Sequence, residues 1–248
     1  MVSVHIGGIL FEGWPSNFDR CFLIGRNGLK GWRGGDLRRE EIPRPAAHGA
    51  FDAPGFQAQR VITLEGSLLA SSPGELQHMK DRVSGLLADG SLGRMTVDDD
   101  WGTSWRDVRL VSIGDMDEIG DTECPFSLTL WAADPRRYGE VNEFAAGEAA
   151  LTRGNFPARP QLIVSGTAAG GYTVTGPGGR QVVVTEPLVS GQPHTIDFAR
   201  GGLWIGGVRQ LRAITVYEPW EIGPGLPGAT ATVDNGASLI QRVTDTFV

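Results

Sequence analysis

Short runs of alternating apolar and polar residues, separated by turns that contain glycine, fill most of this sequence and limit the folds it can adopt. Glycine occupies 36 of the 248 positions and proline another 15, so glycine is about twice as frequent as its usual ~7%. The glycines show no collagen-like period. Tight turns between strands need residues with this backbone freedom, and the sequence therefore predicts a mainly β protein.

One segment has the period of a helix instead. Ser72-Pro73-Gly74-Glu75 is a capping box with proline at the first helical position. Apolar residues then recur at three- and four-residue steps until Gly90, which ends the pattern. These residues are Leu76, Met79, Val83, Leu86 and Leu87. The spacing predicts a single amphipathic helix whose apolar stripe packs on a sheet.

The two halves of the sequence differ, and we place a domain boundary between residues 140 and 141. Strand patterns lie on both sides of the predicted helix in residues 1–140, which favours an α+β domain with one helix. Residues 141–248 have no helical period, and turn dipeptides such as Gly201-Gly202 and Asn235-Gly236 separate their short strands. This spacing is typical of an antiparallel β-sandwich.

Charge and hydropathy exclude several classes of protein. The chain has 22 basic and 29 acidic residues and a net charge of −7, which disfavours general nucleic-acid binding. Residues 1–15 lack a basic stretch ahead of an apolar run, so we expect synthesis in a cytoplasm without a signal peptide. We expect no membrane partner, because no stretch has the ~20 apolar residues of a span.

Cys21 and Cys124 lie in apolar strand-like segments, which indicates buried thiols.

Motifs for catalysis, cofactors and metals are not recognisable, so we predict no enzyme, no cofactor and no metal site. The four histidines stand in unrelated contexts, without a metalloprotease motif or a nucleophile elbow. Gly223–Gly228 formally matches GxGxxG, but its two prolines and the strand predicted after it forbid the helix that a dinucleotide site needs. Asp98–Asp100 carries oxygen ligands without the spacing of a known calcium loop.

A protein that binds carbohydrate on a host cell wall is one alternative. Trp204 and Trp220 could stack on sugar rings, although aromatic residues in a sandwich more often belong to its core or rim. No clustered platform of tryptophan, tyrosine and acid accompanies them. A glycoside hydrolase is less favoured, since no carboxylate pair can be identified from the sequence.

Several patterns occur along the whole chain in a characteristic order. They are Arg60-Val61-Ile62-Thr63-Leu64-Glu65-Gly66, the single helix, Trp105–Ile113, Ala133-Asp134-Pro135-Arg136-Arg137-Tyr138, Asn155, Ala158-Arg159-Pro160, Gly166 and Thr195-Ile196-Asp197. In this order the elements resemble the distal tail protein family of long-tailed (siphovirus-type) bacteriophages. The order of the elements carries the resemblance, because no single motif is specific.

The resemblance implies a structural protein of the virion, at the tail tip or baseplate, that is made in the cytoplasm of the host bacterium. It implies that residues 1–140 form a homohexameric ring around the DNA channel and that residues 141–248 form an outward-pointing, galectin-like β-sandwich. The partners would be further copies of the chain, the tail tube protein and the tail-tip proteins, while DNA passes through without specific binding. Another tail ring, such as a tube protein, is the alternative within this class.

Two groups of residues are candidates for these contacts. The arginine-rich stretch from Arg26 to Arg60 contains prolines and glycines that leave little regular structure, and we predict that it clamps the neighbouring subunit. Its guanidinium groups, which bind carboxylates in a bidentate manner, are those of Arg33, Arg38, Arg39 and Arg44. The acidic surplus of residues 1–140 is predicted to line the channel and repel DNA, at Asp98, Asp99, Asp100, Asp115, Asp117, Glu118 and Asp121. Ordinary solvated turns are the alternative for these acidic residues.

Overall fold

The computed structural model describes residues 2–248, and these residues fall into two compact units. The first unit extends to Arg137 and also includes Val248, and the second comprises Tyr138–Phe247. Strands make up most of both units, and α1 (Pro73–Ser84) is the one α-helix among the described residues. The predictions of a mainly β protein and of a single helix are confirmed. The division into a domain of residues 1–140 and a domain of residues 141–248 stays a prediction.

Seven strands of the first unit close into a barrel. The strands of the first unit, in the barrel and outside it, are β1 (Ser3–Ile6), β2 (Ile9–Glu12), β3 (Cys21–Lys30), β4 (Leu37–Arg38), β5 (Ile42–Pro43), β6 (Ala50–Phe51), β7 (Phe56–Gln57), β8 (Arg60–Leu69), β9 (Gly93–Asp99), β10 (Gly102–Ile113) and β11 (Glu123–Ala132). The order around the barrel is β11-β8-β3-β2-β1-β9-β10, and β10 pairs with β11 to close it. All pairs are antiparallel except β2 with β3.

Alternation along the strands fills the interior of the barrel with apolar side chains. In β11 every second residue is buried, as the sequence pattern predicts. The inward residues of this strand are Cys124, Phe126, Leu128, Leu130 and Ala132. They belong to one buried cluster with residues of the other six strands and of α1, so the barrel and the helix share a single core.

The helix begins at the predicted capping box and ends earlier than predicted. The Ser72 hydroxyl accepts from the Glu75 amide at 3.3 Å, while the Glu75 carboxylate accepts from Ser71, at 3.0 Å from its amide and 2.6 Å from its hydroxyl. Regular helix stops at Ser84, and Leu87 has a positive φ of 49°. The apolar pattern continues past the helix because Leu86 stays buried in a turn.

An arm leaves the barrel between β3 and β8. The arm is residues 33–58, in which β4 pairs with β7 and β5 pairs with β6, each over two residues. A hydrogen bond from the Ala58 amide to the Asp36 carbonyl, 2.9 Å long, closes its base. The arm is therefore a hairpin of two short ladders, which corrects the expectation of little regular structure.

The second unit contains two main sheets. Its strands are β12 (Arg137–Ala145), β13 (Ala149–Ala150), β14 (Gln161–Ser165), β15 (Tyr172–Thr175), β16 (Gln181–Val184), β17 (His194–Asp197), β18 (Leu203–Ile205), β19 (Val208–Gln210), β20 (Ile214–Tyr217), β21 (Ala229–Thr230), β22 (Thr232–Val233) and β23 (Ser238–Phe247). One sheet has the order β12-β23-β14-β17-β18-β19 and the other β20-β16-β15-β22, while β13 pairs with β21. A single buried cluster takes residues from both main sheets, as in a β-sandwich. The galectin-like character of this unit stays a prediction.

A buried hydrogen bond links the two sheets of the second unit. The Tyr172 hydroxyl of β15 lies 3.1 Å from Nδ1 of His194 of β17, and both residues are buried. Burial raises the pKa of Tyr172. Burial also lowers the pKa of His194 below its ordinary 6.5, against the opposing charge of Glu186. The folded protein therefore holds a neutral imidazole between its sheets.

We expect the second unit to lose stability in mild acid because of His194. The pKa of this group is lower in the folded than in the unfolded chain, so the unfolded chain binds the proton first as the pH falls through about 6.5. The melting temperature of the protein should drop between pH 7.5 and pH 5.5, and this drop should be smaller in His194→Gln. An equal drop in the variant and the parent, measured by differential scanning calorimetry, would contradict this assignment.

Candidate functional site

The arm and several chain turns meet at one end of the barrel, which we call the arm end. Strand directions place the last residues of β3, β9 and β11 and the first residues of β8 and β10 there. In register, Lys30 lies opposite Thr63, and Arg60 lies opposite Ala132. The turn from Asp99 to Gly102 joins β9 to β10 at the same end. The base of the arm therefore lies beside an acidic turn.

The arm exposes large apolar side chains that the sequence analysis missed. Every residue from Arg33 to Asp52 is exposed. Four apolar side chains of the arm are between 49 and 62% exposed, and these are Leu37, Ile42, Phe51 and Phe56. Uncovered apolar groups on a projecting segment mark a contact surface. The signal was present in the sequence as apolar residues scattered among prolines and charges, without a helical or strand period of useful length.

The basic surplus of this segment lies at the root of the arm and not along it. Lys30 pairs with Glu65 and Arg33 pairs with Asp99, each at 2.6 Å. Arg60 is buried in the barrel. Between these root residues, three of the four predicted contact arginines stand among four acidic residues. The arginines are Arg38, Arg39 and Arg44, and the acids are Asp36, Glu40, Glu41 and Asp52. The arm therefore offers apolar groups with charges of both signs.

The predicted contact arginines of the arm are exposed, and only one of them stacks on an arm residue. The Arg44 guanidinium lies over the Phe51 ring at 5.6 Å. Arg38 lies in β4, and Arg39 approaches the backbone of Gly55 in the returning chain. Because the arm is a hairpin, these three arginines and the four exposed apolar side chains lie on the same short projecting element.

The two groups of predicted channel residues lie at opposite ends of the barrel. Asp98–Asp100 belongs to the turn between β9 and β10 at the arm end. The second group, at Asp115, Asp117, Glu118 and Asp121, belongs to the loop between β10 and β11. The twelve residues of β10 separate the groups by about 40 Å at the usual rise of a strand. The structure therefore does not bring them together.

Asp99 and Glu118 are paired with cations of the same chain. Partial burial acts to raise the pKa of Asp99, but hydrogen bonds from Arg33 and from the Trp101 amide, with the nearby positive charges, bring it below its ordinary value. Glu118 accepts from Lys80 at 2.8 Å, which raises the pKa of the lysine. Asp115, Asp117 and Asp121 are exposed. Exposed carboxylates therefore lie at both ends of the barrel, at Asp98 and in the loop between β10 and β11.

The tryptophans considered for sugar binding and the two cysteines make contacts within the folded chain. Trp220 is buried with its ring 4.7 Å from that of Phe198, and the Arg200 guanidinium covers Trp204 at 3.7 Å. Burial raises the pKa values of both Cys21 and Cys124. Over residues 2–248, no group of three or more His, Cys, Asp or Glu side chains is placed to hold a metal ion. Within the same range, no helix is long and apolar enough to cross a membrane.

Comparison with solved structures gives matches over the whole chain. The SPP1 Dit (gp 19.1) protein, described as a paradigm of the hub adsorption apparatus in phages that infect Gram-positive bacteria, aligns over 100% of both chains with a TM-score of 0.76 and 11% identity. A chain of the phage P2 baseplate in its activated conformation with Ca aligns over 99% of this chain and 98% of that chain, with a TM-score of 0.51 and 9% identity. The same baseplate with Sr gives 98% coverage of both chains, a TM-score of 0.51 and 10% identity.

Comparison by sequence finds no matching family model and no matching curated protein. The similarity to the phage proteins is therefore one of three-dimensional structure. At 9 to 11% sequence identity it shows a shared fold. The resemblance to distal tail proteins that the order of sequence elements predicted is confirmed at that level. The chain has the fold of a phage tail hub and baseplate protein.

Removal of the arm should leave the barrel folded. A variant that lacks residues 37–57, with a short glycine linker from Asp36 to Ala58, loses residues that contribute nothing to the buried core and keeps the hydrogen-bonded base of the arm. We expect its melting temperature to lie within a few degrees of that of the parent. Loss of the cooperative melting transition in circular dichroism would show that the arm is part of the folding unit.

Proposed function

We propose that the protein is the structural hub of a phage tail tip, which joins the tail tube to the tip or baseplate proteins, and that it is not an enzyme. The observation that supports this role most strongly is the full-length match to the SPP1 Dit protein, a hub of an adsorption apparatus. The two baseplate chains support the same class of role. In this proposal the protein is made in the cytoplasm of the host bacterium and acts in the virion.

In our proposal six copies form a ring, and the arm provides the contact between neighbours. A closed barrel has no free strand edge to pair with another chain, and the arm is an element that projects from it with uncovered apolar side chains. A contact between two different surfaces builds a ring of identical subunits when its rotation closes, and an open filament when it does not. The arm supplies one of these surfaces, with four uncovered apolar side chains and with Arg38, Arg39 and Arg44 for carboxylates of the neighbour.

The acidic turns constrain how a subunit could face a DNA channel. If both groups of carboxylates line the channel, β10 must run along the channel axis, because the groups lie at its two ends. The loop that carries Asp115, Asp117 and Asp121 would then contribute most of the repulsion that keeps DNA from binding. Asp99 and Glu118 would contribute less, since Arg33 and Lys80 compensate their charges.

Native mass spectrometry tests this proposal. The parent should give a species near 159 kDa, six times the 26.5 kDa of the chain, at micromolar concentration. Replacing Leu37, Ile42, Phe51 and Phe56 together by Ser should shift it to the monomer at every salt concentration. Replacing Arg38, Arg39 and Arg44 by Ser should weaken assembly most at low salt, where charge pairs are screened least.

The matched control replaces three exposed arginines of the second unit, Arg153, Arg209 and Arg212, by Ser. It should assemble as the parent does, since these residues lie outside the arm. If both arm variants give the same mass distribution as the control across the salt titration, the arm does not hold the ring. A parent that stays monomeric at all concentrations, both alone and with purified tail tube protein, would count against the hub itself.

A further inference from the structure

Two arginine side chains are buried among the inward-facing residues of the barrel near the arm end. Inward-facing positions of β8 are Arg60, Ile62 and Leu64, and those of β10 include Arg106 and Val108. Arg60 is 7% exposed and Arg106 is 1% exposed. Small barrels normally fill such positions with apolar groups, and arginine is almost never fully buried without a partner. These two side chains therefore need a physical explanation.

Most of the donors of these two arginines have no acceptor. Arg106 donates from Nε to the Arg136 carbonyl at 3.2 Å, and its guanidinium lies over the Trp32 ring at 4.9 Å. Five buried nitrogen atoms nearby lack a hydrogen-bond partner within the described part of the chain, and these are Arg60 Nε and Nη2, Arg106 Nη1 and Nη2, and Trp32 Nε1. Buried donors without partners destabilise a fold, and charged donors do so most.

Two further arginines, Arg60 and Arg137, add positive charge close to Arg106. Burial, with the charges of Arg60 and Arg137, lowers the pKa of Arg106 to about 10, while Asp134 acts in the opposite direction. Arg106 still carries its charge at neutral pH. Burial and the charge of Arg33 likewise lower the pKa of Arg137.

Two aspartates of the arm end, Asp99 and Asp134, already have cationic partners. Asp99 pairs with Arg33 at 2.6 Å. Asp134 accepts from Arg136 in a bidentate pair at 2.8 and 2.9 Å. Neither carboxylate satisfies the free donors of Arg60 and Arg106. The buried guanidinium groups of Arg60 and Arg106 thus lack a hydrogen-bonded carboxylate at the donors named above.

We propose that the arm end of the barrel binds an oxyanion, held by Arg60, Arg106 and the indole N–H of Trp32. A guanidinium group cannot neutralise itself by losing a proton, and its fork of donors matches a pair of oxygen atoms. Water would satisfy the donors but not the charge. Arg137, half-buried and 3.4 Å from the Ser104 hydroxyl, adds positive charge on the more exposed side of the site. The mouth of a barrel is a usual place for a ligand.

The oxyanion has two possible sources with the same chemistry. One is an inorganic anion such as phosphate or sulfate, which binds a single copy of the chain. The other is a side-chain carboxylate of a second copy, and this source rests on the proposed ring. The base of the arm, which we propose to contact a neighbour, lies at the same end of the barrel, and this proximity makes the second source geometrically reasonable.

Thermal unfolding of the full chain with sodium phosphate as the probe tests the site. At a dilution that keeps the chain monomeric, millimolar phosphate should raise the melting temperature by several degrees relative to sodium chloride of equal ionic strength, and the rise should saturate. Arg106→Met should abolish the rise. Arg109→Met, on the exposed face of the same strand, should retain it. Should Arg106→Met not fold, Arg60→Met takes its place in the comparison.

The same titration separates the two sources. If the anion is inorganic, phosphate stabilises the monomer and leaves the oligomer intact. If the oxyanion is a carboxylate of a second copy, phosphate stabilises the monomer and also shifts the oligomer toward it by competition. The proposal is overturned if phosphate and chloride give the same melting temperature, or if Arg106→Met and Arg109→Met respond equally. Because the monomer is measured, a failure of the ring leaves this test intact.

Discussion

The pairing of β10 with both β9 and β11 closes the barrel, and the other features of the first unit depend on it. The register slips between Leu110 and Ser112, so Val111 forms a bulge that the pairing with β11 accommodates. Closure removes the free edges through which β-proteins most readily associate. It also fixes the ends of β10, and thereby separates the acidic turn at the arm end from the acidic loop at the other end. The barrel therefore offers no strand edge for pairing with another chain.

Closure of the barrel also explains why ion pairs and buried arginines lie close together at the arm end. The chain leaves the barrel after β3 and returns at β8, and these neighbouring strands bring the two bases of the arm together. Lys30 and Arg33 are compensated there by acids of the body of the barrel, whereas Arg60 and Arg106 point inward, away from any carboxylate that satisfies them. A compensated outer rim thus surrounds an uncompensated interior. The arm itself carries apolar groups and mixed charges, which suits contact with a protein surface better than contact with DNA.

Local features of the structure were predictable from the sequence, and long-range ones were not. The capping box at Ser72 and the alternation in β11 act over a few residues, so both could be identified directly. The parallel pairing of β2 with β3, the closure of the barrel and the pairing of Arg33 with Asp99, which are 66 positions apart, join distant segments. The inward position of Arg106 follows the two-residue period that it shares with Ser104 and Val108. An arginine at a core position contradicts the usual hydrophobic pattern, and it gave no signal until the barrel showed what surrounds it.

Electron microscopy of the purified full-length protein tests the account of a ring-forming hub most directly. Class averages should show closed rings of six subunits around an open centre, with the first unit forming the ring. This is the result that the proposed ring-forming hub predicts. Single compact particles or open filaments, without closed rings at any protein concentration and also in the presence of tail tube protein, would contradict it.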